Sequence, residues 1–147
     1  MNEVFIAIDP GKNGGVAWRN PEGVDTAAMP ETPFELTRLL RRITLLAGSV
    51  DCVLERVHAM PRDGGVSAFT FGENYGRIQG VLAACEIPYR FTNPQAWQKK
   101  VGALPKDKAE RKRAIKAFAQ QRFPHLGGKI TLKTSDALAM LIVEDKY

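Results

Sequence analysis

Cysteine is scarce: Cys52 and Cys85 are the only two in 147 residues, they stand far apart, and neither belongs to a C-x-x-C pair. That excludes a disulfide scaffold or a cysteine-built zinc site as the organising principle of the fold. No apolar run reaches the length of a membrane-spanning helix, and the N-terminus lacks a signal-peptide layout. A soluble chain working in the cytoplasm, with no membrane partner, is therefore expected. Internal repeats, low-complexity tracts and linkers are missing too, so residues 1–147 are expected to form one domain. What is present suffices for a core: 44% of residues are apolar and 25% charged, which suits a globular domain better than a disordered chain.

Net charge is +5, unevenly spread. Between Trp97 and Arg122 stand nine basic residues (Lys99, Lys100, Lys106, Lys108, Arg111, Lys112, Arg113, Lys116 and Arg122) against Asp107 and Glu110. That stretch carries +7 and leaves −2 for everything else. A concentrated positive field suits a polyanion such as nucleic acid. A solvated helix face would look the same, so charge alone does not decide between them.

Glu3–Asp9 is apolar on both faces, with Val4, Ile6 and Ile8 on one and Phe5 and Ala7 on the other, as in a central strand covered on both sides. Val16–Arg19 and Val24–Ala28 complete an antiparallel meander around turn residues Asn20-Pro21-Glu22-Gly23. Thr32-Pro33-Phe34-Glu35 is a capping box opening a helix that Gly48 ends. A strand over Asp51–Val57, a loop over Pro61–Gly65 and a helix over Ser67–Glu86 follow. Gly72, Gly76 and Gly80 recur in that helix every four residues. Glycine costs about 1 kcal/mol per helical position, which makes sense if the sheet or another copy of the chain packs very close to that face. Pro88–Thr92 is a last strand, Asn93-Pro94 caps a short helix containing Trp97, and helices follow from Asp107 to Phe123 and from about Thr134. The pattern βββαβαβ followed by helices predicts an α/β layer fold with a mixed five-stranded sheet and helices on both faces.

Three acids occupy places where carboxylates seldom sit unless paired or metal-bound. Asp9 ends the doubly covered first strand, Glu55 holds the corresponding place in the fourth, and Asp136 lies in the first turn of the apolar last helix. In this connectivity the first and fourth strands lie side by side, so Asp9 and Glu55 would project onto one patch that the last helix could complete. Clustered carboxylates raise one another's pKa unless a cation neutralises them. Mg²⁺ takes such oxygen ligands, and two ions about 4 Å apart can hold a scissile phosphate, activate water and stabilise the leaving oxygen. Each acid alone has a structural explanation: a turn at Asp9-Pro10-Gly11, a Glu55–Arg56 pair, a helix-dipole charge at Asp136. The three together favour a metal site.

Ile8-Asp9-Pro10-Gly11, Leu54-Glu55-Arg56-Val57 and Ser135-Asp136-Ala137-Leu138-Ala139 resemble the RuvC-type Holliday junction resolvases of the RNase H-like fold. The glycine-spaced segment Phe71–Leu82 and Pro94–Val101 are similar to that family as well, the latter especially to short phage-type members. The resemblance implies a Mg²⁺-dependent endonuclease acting as a homodimer on four-way DNA junctions, with paired nicks and one active site per subunit. Mn²⁺ is expected to substitute, with two ions per site. Asp9, Glu55 and Asp136 match the family's catalytic metal-binding acids. Lys99 or Lys100 and Lys108 fall near family lysines that contact DNA or support catalysis. Lys106, Arg111, Lys112 and Arg62 are further expected DNA contacts, and a bacterial or phage-encoded cytoplasmic enzyme is implied.

Two positions depart from the family. Lys133 stands three residues before Asp136, where a second acid or a histidine is usual, so it is a candidate phosphate-binding or catalytic residue, or a sign of impaired activity. His58 occupies the place of an aromatic wedge, with Phe69 and Phe71 as alternative wedges. The competing functions are a nuclease of RNA/DNA hybrids or other branched DNA, and a junction-binding protein without catalysis. An ATP-handling protein is weaker, because actin-like kinases need two such domains.

Overall fold

Alternation in the first strand dictates the layering. In the computed structural model, which describes residues 2–58 and 62–146, Val4, Ile6 and Ile8 enter one buried cluster and Phe5 and Ala7 another. Strands β1 (Glu3–Asp9), β2 (Gly15–Asn20), β3 (Gly23–Ala28), β4 (Ser49–Glu55) and β5 (Arg90–Thr92) form one sheet in the order β3-β2-β1-β4-β5. The β1–β2 and β2–β3 pairs are antiparallel, whereas β1–β4 and β4–β5 are parallel.

Helices α1 (Pro33–Ile43) and α2 (Gly65–Ala84) cover one face, where Leu36, Leu40, Ile78 and Leu82 pack against Ile6, Ile8 and Leu54. Helices α3 (Pro94–Val101), α4 (Lys108–Arg122) and α5 (Ser135–Glu144) cover the other, bringing Trp97, Ile115, Ala119, Leu138 and Met140 onto Phe5, Ala7, Ala17 and Val53. Caps follow the sequence signals: Thr32, Asn93 and Asp107 each accept a backbone N–H at the start of a helix.

Several boundaries differ from expectation. Helix α1 ends at Ile43, well before Gly48, and Thr44 closes it with its hydroxyl donating to the Leu40 carbonyl. Strand β4 stops at Glu55 because β5 ends at Thr92, whose carbonyl takes the Arg56 N–H and leaves no partner strand beyond. Strand β5 begins at Arg90, two residues after Pro88, and α2 runs Gly65–Ala84. Pro124–Lys129, expected as loop, is a 3-10 turn. Pro61, the first residue of the expected 61–65 loop, lies outside the described residues.

The glycine face of α2 is the larger correction. A Cβ at Gly72, Gly76 or Gly80 would meet nothing within 4 Å, and all three are exposed. The sheet does not pack there. The helix turns the opposite face, Ile78, Val81 and Leu82, to the core. Among the described residues no helix is long and apolar enough to cross a membrane.

Candidate active site

Strand parity and register bring the first two acids together. Asp9 and Glu55 lie on the Phe5/Ala7 and Val53 sides of their strands, the face covered by α3, α4 and α5. The parallel β1–β4 register pairs Ile8 with Leu54, so the next step sets Asp9 beside Glu55 at the carboxyl end of the sheet. The two carboxyls are close enough to act on each other's protonation, and the Glu55 charge raises the Asp9 pKa.

Asp136 arrives from elsewhere, and Gly15 holds its approach, while Gly14 closes the turn after Asp9. A Cβ on Gly14 would fall 2.0 Å from the Asp9 carbonyl oxygen, and one on Gly15 would fall 2.7 Å from the Lys133 carbonyl oxygen and 3.2 Å from the Thr134 Cα. No side chain fits at either position. The missing Cβ of Gly15 lets the backbone that leads into α5 lie directly on β2, with Asp136 in the first turn of the helix. The turn before it is tied by the Thr134 hydroxyl, which donates to the Lys129 carbonyl and accepts the Thr131 N–H, and by Ser135 donating to the Thr131 carbonyl.

The electrostatics mark this as an acidic centre only partly offset by cations. Burial pushes Asp9 well above the usual carboxylate range, and the negative charges of Glu55 and Asp136 push it further. Burial lifts Glu55 to about 6, Asp136 adds to that, and a hydrogen bond from Trp97 opposes it. Asp136 is also raised by burial and held down by Lys112 and Arg111. Lys112 is the cation whose charge reaches all three acids. It sits half-buried on α4, whereas Lys106 and Lys108, at and just before the start of that helix, are exposed.

Trp97 is the residue that sequence reasoning left without a role here. Its fully buried indole donates to a Glu55 carboxylate oxygen at 2.6 Å, and the Tyr75 hydroxyl donates to the Glu55 backbone carbonyl at 3.2 Å. A buried tryptophan needs an acceptor for its N–H and a buried carboxylate needs donors, but sequence separation of 42 residues hides such a match. Arg56 does not serve as the partner weighed for Glu55. Its guanidinium lies over the Phe91 ring, 4.0 Å from the centroid.

The remaining expected contacts divide. Lys99, Arg62 and His58 are exposed, as is Phe69, while Phe71 is half-buried and tilted against Tyr75. Lys100 is tethered instead: its ammonium donates to Glu144 at 3.1 Å within a cluster that also joins Arg90 and Thr92 to that carboxylate. Arg111 donates to the Lys106 carbonyl at 2.9 Å. Lys133 is exposed, and its side chain borders a cleft beside the Asp9 turn.

The donor chemistry fits a hard divalent cation: carboxylate oxygens only, partly desolvated, with protonation favoured because positive charge is short. Among the described residues no group of three or more His, Cys, Asp or Glu side chains is arranged as a ready coordination shell. Asp9 and Glu55 act on each other at the ends of β1 and β4, and Asp136 acts on both through its charge. Three like charges do not close up on one another without positive charge between them.

No family model matches the chain, and no curated protein matches it in sequence. Solved structures do. The chain is similar to T. thermophilus RuvC in complex with a Holliday junction substrate, with a TM-score of 0.60, 14% identity, and coverage of 96% of this chain and 91% of that one. It is also similar to a second Thermus thermophilus RuvC structure, at TM-score 0.57, 16% identity, and 95% and 92% coverage. The mixed five-stranded sheet with helices on both faces is therefore the RuvC, RNase H-like architecture, in agreement with the resemblance read from the motifs.

Proposed function

We infer that this protein is a divalent-metal-dependent endonuclease that cuts branched DNA, with the four-way junction as its substrate and a homodimer as its working form. The observation that carries the reading is the acid pair at the ends of β1 and β4, raised in pKa by burial and by the charge of Asp136 arriving on α5. A fold shared with a RuvC that binds a Holliday junction supports the substrate class.

Asp9, Glu55 and Asp136 would hold the cation, Mg²⁺ or Mn²⁺ and two per site. When bound, it supplies charge neutralisation at the scissile phosphate and makes water a stronger nucleophile. The chain's own groups do the rest. Asp9 and Glu55, both raised in pKa, would lose their protons to solvent when a cation is held, which frees their oxygens for it. Trp97 keeps the Glu55 carboxylate aimed by a short hydrogen bond. Lys112 and Arg111, already near enough to lower the acids' pKa, offset the phosphate charge as DNA arrives. Exposed Lys99, Lys106, Lys108 and Arg62 contact the junction arms through phosphates, which position DNA without reading its sequence. His58 and Phe69 are exposed on the β4–α2 side, where they can work at the crossover. Paired nicking follows from one site per subunit.

The deciding experiment incubates purified protein with a labelled mobile four-way junction, with and without Mg²⁺, beside flap, Y-shaped and RNA/DNA hybrid substrates. Nicks in the junction that need Mg²⁺ are expected. Asp9→Asn should abolish them while junction binding persists or tightens, because one repulsive charge near phosphate is gone. Cleavage by Asp9→Asn at the wild-type rate would refute the site. Binding of the junction with no nick in any substrate would favour the binding-only reading, for which Lys133 in place of an acid or histidine is the main support.

A further inference from the structure

A cleft of about 410 Å³ opens beside the turn that follows Asp9, and the acidic centre makes no use of it. One wall is the 11–13 turn together with Lys133, so both segments that lead to the acids on β1 and α5 border it. The other wall is the N-terminal end of α1 and the middle of α2.

Its lining is of three kinds. The apolar part is Met29, Pro30, Leu36 and Ile78, the last two carried by α1 and α2 and joined to the core. Asn13 and Asn74 contribute carboxamides, each able to donate and accept, and Glu31 contributes an acceptor. Lys12, Arg77 and Lys133 supply three cations, an excess over the single carboxylate. Arg77 is held partly exposed by Glu73 one turn earlier, at 3.2 Å.

A site for phosphate alone needs cations and N–H donors but has no use for an apolar floor. A site for an apolar peptide has no use for three cations. A nucleotide matches all three kinds: a flat apolar base, polar base edges, and a phosphate on either side. The volume falls in the range of small-ligand pockets. We propose that this cleft receives one unpaired nucleotide of the DNA, its base against Met29, Leu36 and Ile78, its edge read by Asn13 and Asn74, and its flanking phosphates held by Lys12, Arg77 and Lys133. The proposal rests on the branched-DNA reading for its source of nucleotide: a strand crossover supplies unpaired or easily unpaired bases, and removing a base from the stack costs least there. It adds base selectivity to contacts that otherwise read only shape.

The test has two arms, both run without divalent cation so that cleavage plays no part. In the first, four-way junctions carrying a single abasic residue, moved position by position through the crossover, are bound to wild type and to Asn74→Ala, a change at a half-buried helical position. One abasic position is expected to weaken wild-type binding about tenfold. Asn74→Ala should weaken binding of the intact junction about fivefold and show little further loss on that abasic junction. Abasic effects within twofold at every position, or losses that add in full, would overturn the proposal. In the second arm, the side-chain amide NMR signals of Asn13 and Asn74 in the wild-type protein are followed while deoxythymidine 5′-monophosphate or inorganic phosphate is added. Shifts with the nucleotide and not with phosphate support the cleft as a nucleotide site. Equal shifts with both, or none with either, overturn it. A protein that binds no branched DNA but shows the nucleotide shifts would sink the functional reading and leave the cleft standing.

Discussion

At the residue scale, the acids are held against their own electrostatics. Asp9, Glu55 and Asp136 all have raised folded pKa values, chiefly from burial, whereas their unfolded values lie near 4. A raised acid favours folding only while protonated. The native state is therefore unpenalised below about pH 4, and the penalty grows as pH rises through the folded values, which for Glu55 is about 6. Without divalent cation, Asp9→Asn should melt a few degrees above wild type at pH 7.5, at roughly 2–4 °C per kcal/mol for a chain of this size. The gap should close toward pH 4, and Mg²⁺ should raise the wild-type midpoint more than that of Asp9→Asn. Differential scanning fluorimetry across pH reads all three. Trp97→Phe keeps most of the ring volume and removes the donor to Glu55. A hydrogen bond to a charged group contributes about 1.5–3 kcal/mol, so Trp97→Phe should lower stability by about that much and move the Glu55 pKa further above about 6. Carboxyl-carbon NMR titration checks the shift, and a Glu55 titration unchanged from wild type would deny Trp97 its positioning role.

At the element scale, the site depends on how closely α5 approaches β2. The acids on β1 and β4 are set by register, but Asp136 is set by backbone contact between Gly15 and the Lys133–Thr134 segment. Gly15→Ala puts a Cβ against backbone that has no rotamer to yield, so α5 must shift. We expect a stability loss of about 1–3 kcal/mol, as for other overpacking changes, together with a weaker response of the melting midpoint to Mg²⁺. Gly72→Ala, on an open face, should instead be neutral or gain about 1 kcal/mol from helix propensity. Urea unfolding of the two variants side by side separates a glycine needed for close approach from glycines that meet nothing within the chain. This contrast was not legible in sequence. The α2 glycines stand out in the sequence by their period, whereas Gly14-Gly15 after Asn13 has the composition of any turn.

At the scale of the whole molecule, the exposed Gly72/Gly76/Gly80 face leaves a single reading from the sequence, packing against a second copy. Val66 and Phe69, on the same helix, are 84% and 72% exposed. Gly76→Leu should fold, since among the described residues nothing beyond the helix's own backbone lies within 4 Å of the new Cβ. If the homodimer uses this face, light scattering after size exclusion will find wild type as a dimer and Gly76→Leu as a folded monomer. A Gly76→Leu chain that stays dimeric would place the subunit contact elsewhere. The basic run of residues 97–122 also resolves at this scale. Ile115 and Ala119 of α4 face the core, Lys112 reaches the acids, and Lys108 and Lys116 share the helix with them. One stretch of sequence thus serves packing, the site and the surface at once.

Local pattern was enough for the layer order, the helix caps and the neighbouring places of β1 and β4, because alternation, capping boxes and strand connectivity are written over short stretches or follow from simple topology. The acids stood out for a similar reason: a carboxylate at the end of a buried strand, as at Asp9 and Glu55, or in the first turn of an apolar helix, as at Asp136, conflicts with its surroundings. Tertiary structure alone decided the Trp97–Glu55 hydrogen bond, the removal of Lys100 into a cluster with Glu144, the open glycine face and the cleft bounded by Lys12, Arg77 and Lys133. Each joins residues far apart in the chain through distance and orientation. Those are set by how the layers pack together and leave no periodic trace along the sequence.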